Sequence, residues 1–154
     1  MNKLCTIHVH KFLATCIACF TIAICLGQQK DIAKFIVTKA TNNGKDETKL
    51  LVSQKAYTVF YKKEDGNLYM ANVWVKNKSQ SFGRIFIATN DRQNNKDNIN
   101  FKWNYVNDYD NKSGTAKVNL VKIYDDLATI SKLTIITEKR DTIIYQGYME
   151  GSIR

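Results

Sequence analysis

Short runs rich in Val, Ile, Thr, Tyr, Phe and Trp recur along this chain at intervals of roughly a dozen residues, each closed by Asn, Asp, Gly or Ser. The runs are Lys34–Lys39, Lys49–Ser53, Ala56–Lys63, Leu68–Lys76, Arg84–Thr89, Ile99–Tyr109, Thr115–Tyr124, Leu133–Glu138 and Thr142–Met149, the last two split by a turn at Lys139–Asp141. If Leu50–Val52 and Tyr57–Tyr61 belong to one bent strand there are eight strands; otherwise there are nine. After Leu26 no apolar repeat of helical period is sustained, and the chain contains no proline. Strands this short and regular, with no crossover helices between them, predict a single all-β domain, an antiparallel barrel or sandwich of about eight strands. One helical turn is expected over Asp125–Ser131, with Asp125 or Asp126 as its N-cap.

Turn chemistry sets two registers. Asp65-Gly66 is a strong hairpin signal, and an even-length loop there pairs Tyr57 with Trp74, Tyr61 with Met70, Phe60 with Ala71 and Thr58 with Val73. Both faces of that pair are largely apolar, which predicts a central pair covered on both sides. A second hairpin turns around Asn111–Ser113. Any even-length loop there puts Phe101, Trp103 and Tyr105 on one face with Ala116, Val118 and Leu120. The other face then collects Lys102, Asn104, Asp108, Lys117 and Asn119. The row Phe101, Trp103, Tyr105 is expected in the core, because aromatic–aliphatic pairs are ordinary sheet packing. It becomes a ligand-binding row only if it is exposed or lines a cavity.

The first 27 residues have a different character. Met1–Lys11 carries Lys3 and Lys11 without an acid, Phe12–Leu26 is an unbroken run of 15 apolar or small residues, and Gly27 precedes Gln28-Gln29-Lys30-Asp31. This resembles a secretory signal peptide, and it is short of the ~20 apolar residues that a membrane-crossing helix needs. Residues 1–27 are therefore expected to be removed, leaving 28–154 as one antiparallel β domain in the periplasm or the medium. Cys25 follows the bulky Ile24 and Cys19 lies too close to Lys11 for a good lipidation signal, so a lipoprotein is less expected.

All four cysteines and both histidines lie inside this leader. A processed domain without thiol or imidazole excludes Cys and His nucleophiles, Ser-His-Asp triads, His/Cys zinc sites and haem ligation. No metal and no cofactor is expected. Without Lys3 and Lys11, 21 basic side chains stand against 14 acidic ones, a net charge of +7, in runs no longer than two. Such a spread suits solubility or weak attraction to anionic envelope material, not a nucleic-acid footprint.

Asp108-Tyr-Asp110-Asn-Lys112-Ser-Gly114 has the outline of a calcium loop, but Lys112 stands where an oxygen ligand belongs and Asn119 where the closing Glu belongs. Turn chemistry is the better reading. Nothing in the spacing of Glu64, Asp108, Glu138 and Glu150 brings two carboxylates to the separation that hydrolysis needs. No catalytic residue is assigned. The expectation is an exported, non-enzymatic barrel or sandwich of the bacterial envelope that binds a small molecule or an anionic envelope component as a monomer. A lipocalin-like barrel is favoured in shape only, since no Gly-x-Trp stands near the first strand. One alternative is a small eight-stranded outer-membrane barrel, against which the ending Ser152-Ile153-Arg154 and a Lys122 on the would-be lipid face both count. The other is a carboxylate-dependent hydrolase. A lined interior cavity of ~300 Å3 or more would favour a carrier, and a filled interior a role for the surface.

Overall fold

The computed structural model describes residues 30–93, 95–124 and 129–153. Their order is β1 (Lys30–Asn42), β2 (Lys45–Asp46), α1 (Thr48–Ser53), β3 (Ala56–Lys62), β4 (Leu68–Trp74), β5 (Ser79–Gln93), β6 (Lys96–Asn107), β7 (Ser113–Tyr124), β8 (Thr129–Thr137) and β9 (Thr142–Gly151). From β3 to β9 each strand pairs antiparallel with the next, and β1 closes the ring by pairing with both β3 and β9. The chain is thus a closed eight-stranded antiparallel barrel, with β2 a two-residue appendage of β1. Closure supplies each strand with a partner on both sides over most of its length, which removes the exposed edges that make open sheets aggregate.

Two expectations are corrected, and a third falls largely outside the described residues. Residues 49–53 form α1, not a strand. Leu50-Leu51-Val52 is an apolar run too short for its period to show, and only Leu51 is buried, while Leu50 and Val52 are exposed. The main-chain N–H of Thr48 donates to Asp46 Oδ1 and its hydroxyl accepts from Ala40 N–H, pinning the start of the helix to the end of β1. Second, the β3–β4 loop is Lys63–Asn67, an odd length, so Phe60 pairs with Met70, Tyr61 with Tyr69, Tyr57 with Val73 and Thr58 with Asn72. Gly66, at φ 72°, and the Asp65 carboxylate, accepting from Asn67 N–H, build that wider turn. Third, residues 125–128 of the expected helical turn lie outside the described residues, as does the leader, while Thr129–Ser131 open β8.

Alternation then sorts the side chains. Phe35, Phe60, Met70, Leu120, Leu133 and Ile135 point inward with essentially no exposure, packed with Ile85, Ile99, Phe101, Trp103, Val118 and Tyr145. One inward rung is polar and internally satisfied: the Thr58 hydroxyl donates to Asn72 Oδ1 at 2.7 Å and that of Ser81 to Asn107 Oδ1 at 2.7 Å. At one end of the barrel α1 inserts Leu51 into the core. At the other, beyond β9, Ile153 turns in among Ile99, Leu120 and Met149 at 1% exposure. The interior is filled and plugged at both ends. Gly147 is needed where β9 meets the bulge in β1, because a Cβ there would fall 1.9 Å from the Ile36 carbonyl oxygen.

Outside, Val59, Tyr61 and Ala71 form a second apolar cluster on β3 and β4, flanked by Tyr57, Tyr69, Val73 and Phe82. The two-faced apolar character of this pair therefore produces one wall shared by two clusters.

Candidate functional site

The β6–β7 hairpin decides where the aromatic row goes. Its loop leaves Val106 opposite Ser113, an even-length connection that puts the aromatic row on one face with Ala116 and Val118, as turn parity predicts, and the loop length then pairs Trp103 with Ala116 and Phe101 with Val118. Phe101 and Trp103 are each 3% exposed and point into the barrel. The Phe101 ring meets that of Phe60 edge-on at 6.1 Å, and Trp103 packs on Tyr105 at 4.7 Å. Tyr105 is half-buried, and burial pushes its phenol above the ordinary value. Phe101 and Trp103 therefore pack in the core, and Phe101 also borders a groove in the outer wall.

The same register arranges the outer face. Lys102 lies directly opposite Lys117, with Phe86 of β5 beside the one and Ile136 of β8 beside the other. On the next rung Thr89, Asn100, Asn119 and Thr134 stand in line. There the Asn119 amide donates to Asn98 Oδ1 at 2.7 Å and to Asn100 Oδ1 at 2.8 Å, while Asn100 donates to the Thr89 hydroxyl. On the other side of the lysine rung the Thr115 hydroxyl donates to the Glu138 carboxylate.

Asn100, Lys102, Thr115, Lys117, Asn119, Thr134, Ile136 and Glu138 line an outer groove of about 870 Å3, together with Ala88 of β5, the strand positions Phe101, Ala116 and Val118 at its floor, and Arg140 of the β8–β9 turn. A barrel wall is ordinarily convex; here β5 is bulged between Ile87 and Thr89, and bulges bend and re-aim a strand. Four strands span roughly 14 Å at the usual interstrand spacing, enough to seat a ligand of several rings.

The electrostatics of this wall are unusual. Like charges directly opposed on one sheet face are destabilising. The ion pairs among the described residues are Arg92–Asp97 and Lys112–Asp110, so Lys102, Lys117 and Arg140 have no carboxylate partner within 4 Å. Nearby acids are engaged elsewhere: Glu138 takes the Thr115 hydroxyl, and Asp141 takes the Asn43 amide at 2.9 Å. Arg140 itself sits at φ 67°, a region that β-carbon-bearing residues seldom occupy.

Other features resolve into structure. Asp108 accepts from Gln80 N–H, and Asp110 from the Lys112 N–H, whose main-chain bond holds the Asp110 carboxyl below its usual range. These are turn bonds on the Asp108–Gly114 segment. Lys122 shares the face of Leu120, as its position two residues on predicts; that face points inward, and the ammonium reaches the barrel rim, 3.5 Å from the Gly151 carbonyl oxygen. A smaller cleft of about 340 Å3 lies over Tyr57, Tyr61 and Phe82. Its ring faces are already used, with the Lys34 ammonium 4.4 Å from the Tyr57 ring centre and Tyr61 stacked on Tyr69.

Sequence reasoning placed Lys102 and Lys117 on the polar face of the hairpin but missed that they stand opposite one another. Parity gives the shared face, and only the exact loop length makes the two lysines direct partners. Arg140, Thr134 and Ile136 had no local signal, since only the β7–β8 pairing brings them alongside. The chain matches no protein-family model, no curated protein and no solved structure.

Proposed function

We propose that this chain is an exported, non-enzymatic binding protein of the bacterial envelope, and that it takes its ligand on the outer wall of the barrel. One observation carries the reading: side chains fill the interior and Leu51 and Ile153 plug its ends, while a groove of about 870 Å3 lies on the outer wall over β5–β8. Carriers of the same architecture need an open, lined lumen. The signal-like leader supports export and the groove supports binding. Paired-carboxylate hydrolysis calls for two acids, and Glu138 is the single carboxylate on the groove wall. A membrane barrel is disfavoured by side-chain orientation. Apolar residues face in and Lys102, Lys117 and Lys132 face out, the reverse of a lipid-facing wall.

Two measurements test this. Intact mass of the exported protein should place the first residue at Gln28; a start before Cys25, or an acylated cysteine, contradicts the soluble reading. In the second, purified protein is exposed to cis-parinaric acid, as a lumen probe, and to dextran and dextran sulfate, as wall probes. Uptake of the fatty acid into the barrel would overturn the reading. Retention by a polymer should disappear in Thr134→Trp, which fills the groove on an outward strand position without touching the core.

A further inference from the structure

We infer that the groove over β5–β8 is a site for an acidic polysaccharide, a hydroxyl-rich chain carrying carboxylate, sulfate or phosphate groups. The inference rests on the outer-wall reading above and names its ligand class. Three cations and one already engaged carboxylate line a single concavity, so the groove presents net positive potential at its centre. Lys102 and Lys117 are opposed across the β6–β7 ladder without a counter-ion, a local conflict that an anionic group lying between the two ammonium ions would relieve. Arg140 is held at the rim by a braced turn: Thr137 and Asp141 hydrogen-bond to each other, and Asn43 bonds to both Asp141 and the Thr142 N–H. Its guanidinium, with five donors in a planar fork, suits a second anionic group.

The remaining wall chemistry separates a glycan from other polyanions. Beside the lysine pair, the Asn119 amide oxygen, the second Asn100 amide hydrogen and the Thr134 hydroxyl remain for the hydroxyls of a sugar once the rung's own hydrogen bonds are counted. The lysine stems, Ala88 and Ile136 give the aliphatic surface on which pyranose C–H groups lie. Single-stranded nucleic acid would want free aromatic faces for base stacking. The aromatic ring beside the lysines, Phe86, has the Arg84 guanidinium stacked on it at 4.6 Å. An anionic lipid would lay acyl chains on Ala88, Ile136 and the lysine stems without using the polar rungs beside them, and the vesicle arm of the test separates it from a glycan.

The chain supplies its own control. Lys30 and Lys62 are also directly opposed, on the first rung of the β1–β3 ladder and outside this groove. The test measures binding of the purified exported protein to immobilised polygalacturonate, dextran sulfate and neutral dextran, and to phosphatidylglycerol vesicles. The two polyanionic polymers should retain it, dextran should not, and ~1 M salt should release it as the Debye length shrinks to ~3 Å. Lys102→Gln with Lys117→Gln should weaken retention at least about tenfold, the scale of losing charge-assisted contacts, and Arg140→Gln by severalfold. Lys30→Gln with Lys62→Gln removes the same charge and should change it less than about twofold, as dispersed surface charge does. Equal losses from both pairs would show mere charge attraction and overturn the inference. So would stronger binding to the vesicles than to the polymers. If Thr134→Trp abolishes retention while the Lys102/Lys117 variant leaves it intact, the outer wall still binds but the anionic class is wrong. If neither variant changes anything, the outer-wall function itself fails.

Discussion

Replacing Trp103 tests the packed interior where the structure makes the most specific demand. The indole is 3% exposed, on the same rung as Ile85 of β5 and Ala116 of β7, with the Tyr105 ring tilted against it at 4.7 Å. Trp103→Ala empties that volume in a wall whose backbone is held by ladders on both sides, so the site has little freedom to collapse. The cost should be ~3–5 kcal/mol, as for other large-to-small core changes. In a domain of this size that corresponds to a fall in melting temperature of roughly 10–20 °C. Trp103→Phe should behave differently. Nε1 of Trp103 is buried without an acceptor, and a buried orphan donor costs about 1–3 kcal/mol. Phenylalanine removes that donor together with part of the ring, whose lost burial is of similar size. The two effects offset, and Trp103→Phe should stay within ~1 kcal/mol of the parent. Lys102→Ala and Lys117→Ala, on the opposite face, should stay within about 0.5 kcal/mol, like most surface changes. Urea melts followed by far-ultraviolet circular dichroism read all four variants without depending on the indole. A Trp103→Ala cost below ~1 kcal/mol would refute the packed barrel at this point. A Trp103→Phe as damaging as Trp103→Ala would show that the indole N–H has a partner after all.

Leu51→Ala and Ile153→Ala should each cost about 2–3 kcal/mol, the lower part of the range for core truncations, because water at the barrel ends partly refills the space; near-neutral melts would refute the plugs. Acid and alkaline melts probe different groups. Hydrogen bonds from Thr48, Asn67 and the Lys112 main chain hold Asp46, Asp65 and Asp110 below the ordinary carboxylate value, so their contribution is present above pH ~4 and lost as pH falls through the depressed folded values. Burial pushes Tyr145 and Tyr61 above the ordinary phenol value, so stability should hold up to pH ~10 and decline above it. Residues 30–153 contain no histidine, so a stability step between pH 6 and 8 in urea midpoints would contradict this account.

What the sequence displays and what it hides follows from the range of each interaction. A strand shows its two faces locally, because side chains alternate; Phe101, Trp103 and Ala116 could be assigned inward from that alone. A hairpin adds one neighbour, provided its loop parity is known. The turn around Asn111–Ser113 is even, so the two faces followed from parity, while the register waited on the loop length. The Asp65-Gly66 turn was not. Lys62-Lys63-Glu64 gives no mark of where β3 ends, so a five-residue loop was indistinguishable from a two-residue one, and the partners of Phe60 and Tyr61 moved by one. Barrel closure is less local still. Only when β1 pairs with β9 across the length of the domain does an inward face become an interior, and only then can Leu51 and Ile153 act as its stoppers. The groove sits between these levels. Its lysine pair belongs to one hairpin but depends on the exact loop length, whereas Ile136 and Arg140 arrive through β8 and Ala88 from the bulge in β5. A binding surface assembled on the outside of a barrel thus draws on pairings that core patterning does not encode, since outward residues carry no hydrophobic signal to align them. It was the failure of that polar face to pair its own charges, not any motif, that made the surface stand out once the strands were set side by side.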